Sequence, residues 1–165
     1  MHRARWLPGI LLAMTVLSAA DRLEASVDPE ARLVPAVVAD EVSDSLFATG
    51  GRLYAQRRFQ EAIPLFLRVI EIDPRNGNAY ALLGGSYFQL GDYAQAIGAF
   101  ERAIQLDEGI KLAYIGLVSA NYLTERVSDA QQWMLRLIPI LTGEERDRYL
   151  ATLTSQFPGL ELPGS

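Results

Sequence analysis

The segment FQEAIPLFLRVIEIDP, residues 59–74, returns in altered form as YAQAIGAFERAIQLDE at residues 93–108. Six positions keep their residue (Ala62/Ala96, Ile63/Ile97, Phe66/Phe100, Arg68/Arg102, Ile70/Ile104, Asp73/Asp107), each pair 96 − 62 = 34 positions apart. The apolar residues inside each copy recur at three and four positions, the spacing of one helix face. A unit this short cannot bury that face alone, so its copies must stack on one another.

Working outward, the same period links a second set of columns: Leu46/Tyr80/Tyr114, Thr49/Leu83/Leu117, Gly50/Gly84/Val118 and Leu53/Tyr87/Asn121. A third runs Ala62/Ala96/Ala130, Phe66/Phe100/Met134 and Val69/Ala103/Leu137. The two sets lie half a period apart, so each unit is expected to be two antiparallel helices joined by a short turn such as LGDY, residues 90–93. Gly84 and Ala96 fall where the helices of one unit cross, and larger side chains there would push them apart. Gly91 suits a helix C-terminus needing positive φ, and Asp92 with Gln95 reads as an N-cap and its capping-box partner. Ser128 and Gln131 read as the same pairing in the third unit. Pro74 ends a helix, whereas Pro64 is expected near a helix's first turn, where its missing N–H costs little.

These residues resemble the tetratricopeptide repeat family: bulky, small, then aromatic on the first helix, and Ala…Phe…Ala…Pro on the second. The resemblance implies an all-α fold, an αα-hairpin solenoid of three tetratricopeptide-type repeats at residues 43–76, 77–110 and 111–142. The third departs from the pattern, with Val118 for the small residue, Asn121 for the aromatic, and Glu108 and Thr142 where proline is usual. Its packing is expected to be atypical, as at the end of a stack. Residues 143–157 follow Thr142, which reads with Glu145 as a capping box, and carry a stripe of Tyr149, Leu150, Leu153 and Phe157, with Glu144, Arg146, Asp147 and Arg148 outside it. This segment is expected to be a C-terminal capping helix over the open end of the stack. Residues 158–165 read as a tail. Residues 21–42 read as a linker, with an extended apolar patch at Leu33 to Val38, because Pro35 limits any helix there to a turn or two.

The opening MHRARWLPGILLAMTVLSAA, residues 1–20, has the basic, apolar and small-residue layout of a secretory signal. Its apolar stretch is shorter than the roughly 20 residues a membrane span needs. The expectation is an exported chain, in the bacterial periplasm or secreted. An N-terminal membrane anchor is the alternative, and membrane contact is expected only if the signal stays uncleaved.

Composition narrows the chemistry. The 165 residues are 50% hydrophobic with a net charge of −5, and among 15 basic residues Lys111 is the only lysine. No basic stripe exists for a phosphate backbone, so nucleic acid is not an expected partner. Cysteine is absent and the one histidine is His2, within the signal. With the signal removed the chain is expected to have neither, and so no Ser–His or Cys–His nucleophile and no thiolate metal site. The paired acids Asp107-Glu108 and Glu144-Glu145 sit at a turn and a helix start, where carboxylates suit the local dipole. No catalytic residue, metal or cofactor is expected, and the chain reads as a binding protein rather than an enzyme.

The first helix of each unit is apolar on the side turned away from its partner. The middle unit offers Ala81, Leu82, Gly85 and Phe88, the first Phe47, Gly51 and Tyr54, and the third Ile115, Gly116, Ser119 and Tyr122. A helix apolar all round is normally covered on both sides. In the family these helices line a concave surface that binds peptides. The resemblance thus implies a groove made by Phe47, Gly51, Tyr54, Asn78, Leu82, Gly85, Phe88, Gln89, Ile115, Ser119 and Tyr122. Some members grip a peptide's terminal carboxylate with Lys, Asn and Arg, but the matching positions here are Phe47, Gly51, Leu82, Leu112 and Gly116. Acidic chaperone tails are therefore not expected ligands, and an apolar peptide segment or amphipathic helix is. Self-occupancy by residues 33–38 or by the tail is the competing reading of the groove. The function expected is an interaction adaptor in envelope complex assembly. A chaperone-like holder of hydrophobic clients and a structural homo-oligomer subunit are the alternatives.

Overall fold

The computed structural model describes residues 29–157, with side chains from Val38 onward except Thr154. The described residues form seven α-helices and no strand. They are α1 (Pro29–Ala55), α2 (Phe59–Ile72), α3 (Gly77–Gln89), α4 (Tyr93–Leu106), α5 (Lys111–Leu123), α6 (Val127–Leu137) and, after a 3-10 turn at Ile138–Ile140, α7 (Gly143–Gln156). The chain divides into two units, residues 1–39 and 40–165. The described part of the first is its helical residues 29–39, and the repeated hairpins belong to the second.

Each odd-numbered helix from α1 to α5 hands over to its partner through one turn built three times. The N–H groups of Arg57, Gly91 and Glu125 donate to the carbonyls of Tyr54, Phe88 and Tyr122 at 2.9, 3.0 and 3.0 Å. The next N–H groups, of Arg58, Asp92 and Arg126, reach back to Leu53, Tyr87 and Asn121 at 2.9, 3.0 and 2.8 Å. This satisfies carbonyls that a helix end leaves free, and it needs a left-handed residue in the middle. That residue has φ +61° at Arg57, +83° at Gly91 and +61° at Glu125. The following helix then starts in two ways, with a side-chain cap only at Asp92. Asp92 accepts from the Gln95 N–H at 3.2 Å, while Arg58 and Arg126 pair with Glu61 and Asp129, three residues on, at 2.6 and 2.7 Å.

Turns between hairpins repeat as well. Asp73 accepts from the Arg75 N–H at 3.0 Å and Asp107 from the Gly109 N–H at 2.8 Å. These local devices set the helix directions, and side-chain packing then sets how closely the helices approach.

Phe66 and Phe100 are buried beneath glycines. A Cβ on Gly50 would lie 2.8 Å from the Phe66 ring, and one on Gly84 would lie 2.8 Å from the Phe100 ring. Phe100 is held from the next hairpin too, since a Cβ on Gly116 would fall 2.3 Å from its ring. In α5/α6 the same two columns hold Val118 and Met134, 0% and 1% exposed and part of one cluster. The departure from pattern is thus a paired exchange: a larger residue on α5 meets an unbranched, adaptable one on α6.

Leu153 and Phe157 pack on Val118, Ala130 and Met134, and Tyr149 touches this cluster and the one around Phe100. Lys111 at the start of α5 donates to Glu145 at 2.7 Å. The same carboxylate oxygen accepts from the Thr142 N–H and hydroxyl at 3.0 Å each. Arg146, Asp147, Arg148, Ala151 and Thr152 remain exposed. The helix therefore closes the apolar end of the α5/α6 hairpin and presents a polar back.

Three expectations change. Residues 29–42 are helical, not extended, and α1 runs through Pro35. A proline's fixed φ is itself helical, so the backbone continues at the loss of one hydrogen bond. Ser128 and Gln131 form no capping box, because α6 begins at Val127 and its N-cap is Arg126. Pro64 is the sixth residue of α2, beyond the first turn, so its missing N–H removes the bond that the Gln60 carbonyl would have accepted. The third unit is packed atypically, as expected, with Val118 and Met134 in place of a glycine and a ring, and it is packed fully. The segments read as a signal and as a tail lie outside the described residues.

A candidate binding face on the odd-numbered helices

The first helices of successive hairpins lie side by side. Tyr54 of α1 meets Gly85 of α3, where an added Cβ would stand 2.7 Å from the Tyr54 hydroxyl oxygen. Next, α3 packs directly on α5. Gly85 is small because the neighbouring tyrosine occupies the space a side chain would take. Burial in this contact raises the pKa of the Tyr54 phenol, which therefore stays neutral.

The aromatic groups expected in the groove are tethered rather than free. Tyr54 meets Phe59 edge-on with centroids 5.3 Å apart, and Phe88 meets Tyr93 at 5.4 Å. Both partners open the following helix, 34 positions apart. Tyr122 leans instead on Phe157 at 4.5 Å, and Phe47 on Phe66 at 6.1 Å. All four are half-buried, so each offers one surface outward and spends the other on packing.

The remaining expected residues divide by depth. Gln89 is exposed, Asn78 is exposed at the start of α3, Gly85 is buried, and Gly51, Leu82, Ile115 and Ser119 are intermediate. A Cβ on Gly51 would meet nothing within 4 Å, so the space above it is open. The structure gathers these residues in adjoining patches, not in one pocket. Phe47, Tyr54 and Leu82 pack around Phe66, Phe88 and Ile115 join the Phe100 core, and Tyr122 joins the cluster made by α7.

Two exposed leucines extend this face, Leu112 at a position already matched to the family's carboxylate grip and Leu123 beyond what sequence reasoning assigns to it. Leu112 is 37% and Leu123 is 47% exposed. They share columns with Asp44 and Asn78 and with Ala55 and Gln89, and that register is the signal by which they could be found. The face is also almost free of charge. α3 has no charged residue, and α5 has only Lys111, which Glu145 holds. Lys111, with help from Thr142, lowers the Glu145 carboxyl to a pKa of about 2. On α1, Asp40, Glu41 and Asp44 are exposed.

On the even-numbered helices a cleft of about 330 Å³ is lined by Glu101, Gln105, Glu108, Trp133 and Arg136. There the Arg136 guanidinium stacks 4.5 Å over the Trp133 ring, so the largest aromatic face in it is already covered. Among the described residues no group of three His, Cys, Asp or Glu is placed to hold a metal ion. None of their helices is long and apolar enough to cross a membrane.

The same arrangement of helix pairs recurs in solved structures. The first tetratricopeptide domain of Spaghetti (RPAP3), bound to the HSP90 peptide SRMEEVD, superposes with a TM-score of 0.63 and 19% identity, over 72% of this chain and 95% of that one. The TPR2B domain of yeast Sti1, in a complex named for pHsp70, gives 0.65 and 15%, over 70% and 94%. The type III secretion translocator chaperone SycD of Yersinia enterocolitica gives 0.62 and 15%, over 70% and 87%. At such identities the likeness is one of fold. Two overlapping stretches, residues 47–109 and 86–145, match the Tetratricopeptide repeat family model, and with more than half of its length matched the chain belongs to the tetratricopeptide repeat family.

Proposed function

We propose that this chain is a non-catalytic adaptor of three repeats that binds an apolar peptide segment or an amphipathic helix across α1, α3 and α5. The observation that carries the reading is the face itself. From Phe47 to Leu123 its half-buried aromatics and exposed leucines are interrupted by no free charge on α3 or α5. A contiguous apolar surface on a protein of net charge −5 generally marks an interaction site.

Peptide capture by the Spaghetti domain supports the mode but not the ligand. Here Gly51 is bare, Gly116 is buried against Phe100, and Lys111 is engaged by Glu145. On α3 and α5 a terminal carboxylate would find no free cation to meet it, so acidic chaperone tails are poor partners. Residues 1–20 support export, and with it a place in envelope assembly.

The test is a photoreactive residue in place of Leu112 in the full-length protein in its native host, with one in place of Arg102, on α4, as control. A discrete protein adduct at Leu112, absent at Arg102 and competed away by an apolar peptide, is expected. An intramolecular adduct to residues 158–165 would instead make the face core and overturn the reading. Micromolar binding of many unrelated apolar peptides would favour the holder of hydrophobic clients.

A further inference from the structure

Resting on that reading, we infer that the bound segment carries a cationic residue, positioned toward Asp40 and Asp44 when an apolar side chain fills the space over Gly51. On α1 the residues Asp40, Asp44, Phe47, Gly51 and Tyr54 recur at three and four positions and so share one helix face. Gly51 lies between half-buried Phe47 and Tyr54, and Leu82 of α3 packs in the cluster that holds both. A Cβ there would touch nothing of the protein. Gly51 therefore leaves an open socket on this face, flanked along the helix by the two aromatic residues.

Asp44 is seven residues before Gly51, which on a helix is about 10 Å. Asp40 lies one turn further out, and Glu41 flanks the pair. All three are exposed, and no basic residue is ion-paired to any of them among the described ion pairs. The other hairpins place Asn78 and Leu112 where α1 has Asp44. The negative charge of the face is therefore concentrated at its α1 end, beside the socket. An extended ligand would span the 10 Å with about three residues and a helical one with about seven. Complementary charge at that spacing sets the ligand's direction along the groove and speeds its capture.

The test uses three fluorescein-labelled peptides on the full chain, each with the core LAVLL preceded by two lysines, two serines or two glutamates. At low salt the lysine peptide is expected to bind about tenfold or more tightly than the glutamate peptide, with the serine peptide between them. The gap should shrink in roughly 0.5 M sodium chloride, as screening requires. An Asp40→Lys/Asp44→Lys variant should invert the order, and both substitutions are at exposed positions that leave the core untouched. Gly51→Leu fills the socket and should weaken all three peptides about tenfold or more while the helical signal and melting curve hold. Equal affinity for the lysine and glutamate peptides, or no response to the double aspartate variant, would overturn the charge assignment and leave the apolar face standing. No binding by any of the three would remove the apolar-face reading and this inference together. Unchanged affinity in Gly51→Leu would show that the socket is not where the ligand sits.

Discussion

The α3/α4 and α5/α6 hairpins solve one packing problem with opposite residues. In α3/α4 a glycine, Gly84, lets the Phe100 ring approach to where a Cβ would stand 2.8 Å away. In α5/α6 the α5 residue is Val118, and Met134 takes the place of the ring, both fully buried. Column by column, the second hairpin departs from the repeat. As a pair, the volume lost on α6 is returned on α5. What this repeat keeps is the filled space between two helices, and residue identity follows from it.

The hairpins differ in a second way that packing does not excuse. Where α3 has Tyr87, α5 has Asn121, 1% exposed. Its amide N–H donates to the Leu117 carbonyl at 2.8 Å, but its Oδ1 has no partner. A buried acceptor left unmet costs the desolvation it has suffered.

The sharpest way to break the comparison is Gly84→Val, which puts into α3/α4 the residue that α5/α6 accepts. Against an unchanged Phe100 it should destabilise by about 2–3 kcal/mol by overpacking. Adding Phe100→Met should recover part of that loss, with a coupling of about 1 kcal/mol or more in a double-mutant cycle read by urea midpoints. Strict additivity would show that the two columns do not compensate.

Asn121→Leu removes the unmet acceptor and should stabilise by about 1–2 kcal/mol in the same assay. A loss of stability would mean that the amide carries a role beyond the Leu117 bond. Smaller still is Glu125→Gly, which gives α5 the residue α3 uses at its left-handed turn. With φ at +61° for Glu125 and +83° for Gly91, the relief should be about 1 kcal/mol, in line with the cost of αL for an L-residue. Thermal midpoints of the two proteins would check it.

The smallest effect concerns the tie between α5 and α7. Lys111 and Thr142 lower the Glu145 carboxyl from 4.5 to about 2. A carboxyl held below its unfolded value stabilises the fold above that value, and the contribution fades as pH falls from about 4.5 to 2. Both partners are substantially exposed, so the effect is slight. Glu145→Gln should flatten this part of the stability–pH curve, and a variant curve parallel to the parent's would show that the pair contributes nothing.

Much of the architecture is legible in the sequence because it rests on local rules. The helix faces of each unit, the glycine at position 91 and the Asp92 cap each depend on residues within a few positions of one another. So does the Thr142–Glu145 box. The mistaken expectations have the same source. Local preference alone argues against a helix through Pro35 and for a cap at Ser128, and in both places the chain has an alternative. One is a helix that tolerates a lost bond, the other a helix start at Arg126, whose guanidinium pairs with Asp129 and caps no N–H. Sequence patterning identifies the groove residues as a face but not their depth, because the column of Tyr54, Phe88 and Tyr122 looks uniform. Only the packed chain shows Phe59 and Tyr93 beside the first two and Phe157 against the third.

The sequence by itself determined the repeat, the all-helical hairpins and the apolar character of the first helix in each pair, because helix periodicity and turn chemistry act over short stretches. The tertiary structure alone decided that Val118 and Met134 are a matched exchange, that Gly85 yields to Tyr54 from the preceding hairpin, and that Lys111 anchors α7 through Glu145. It also left Gly51 open while burying Gly85 and Gly116. Those outcomes depend on side chains from different helices competing for one volume. A reading that takes one segment at a time contains no distance between them.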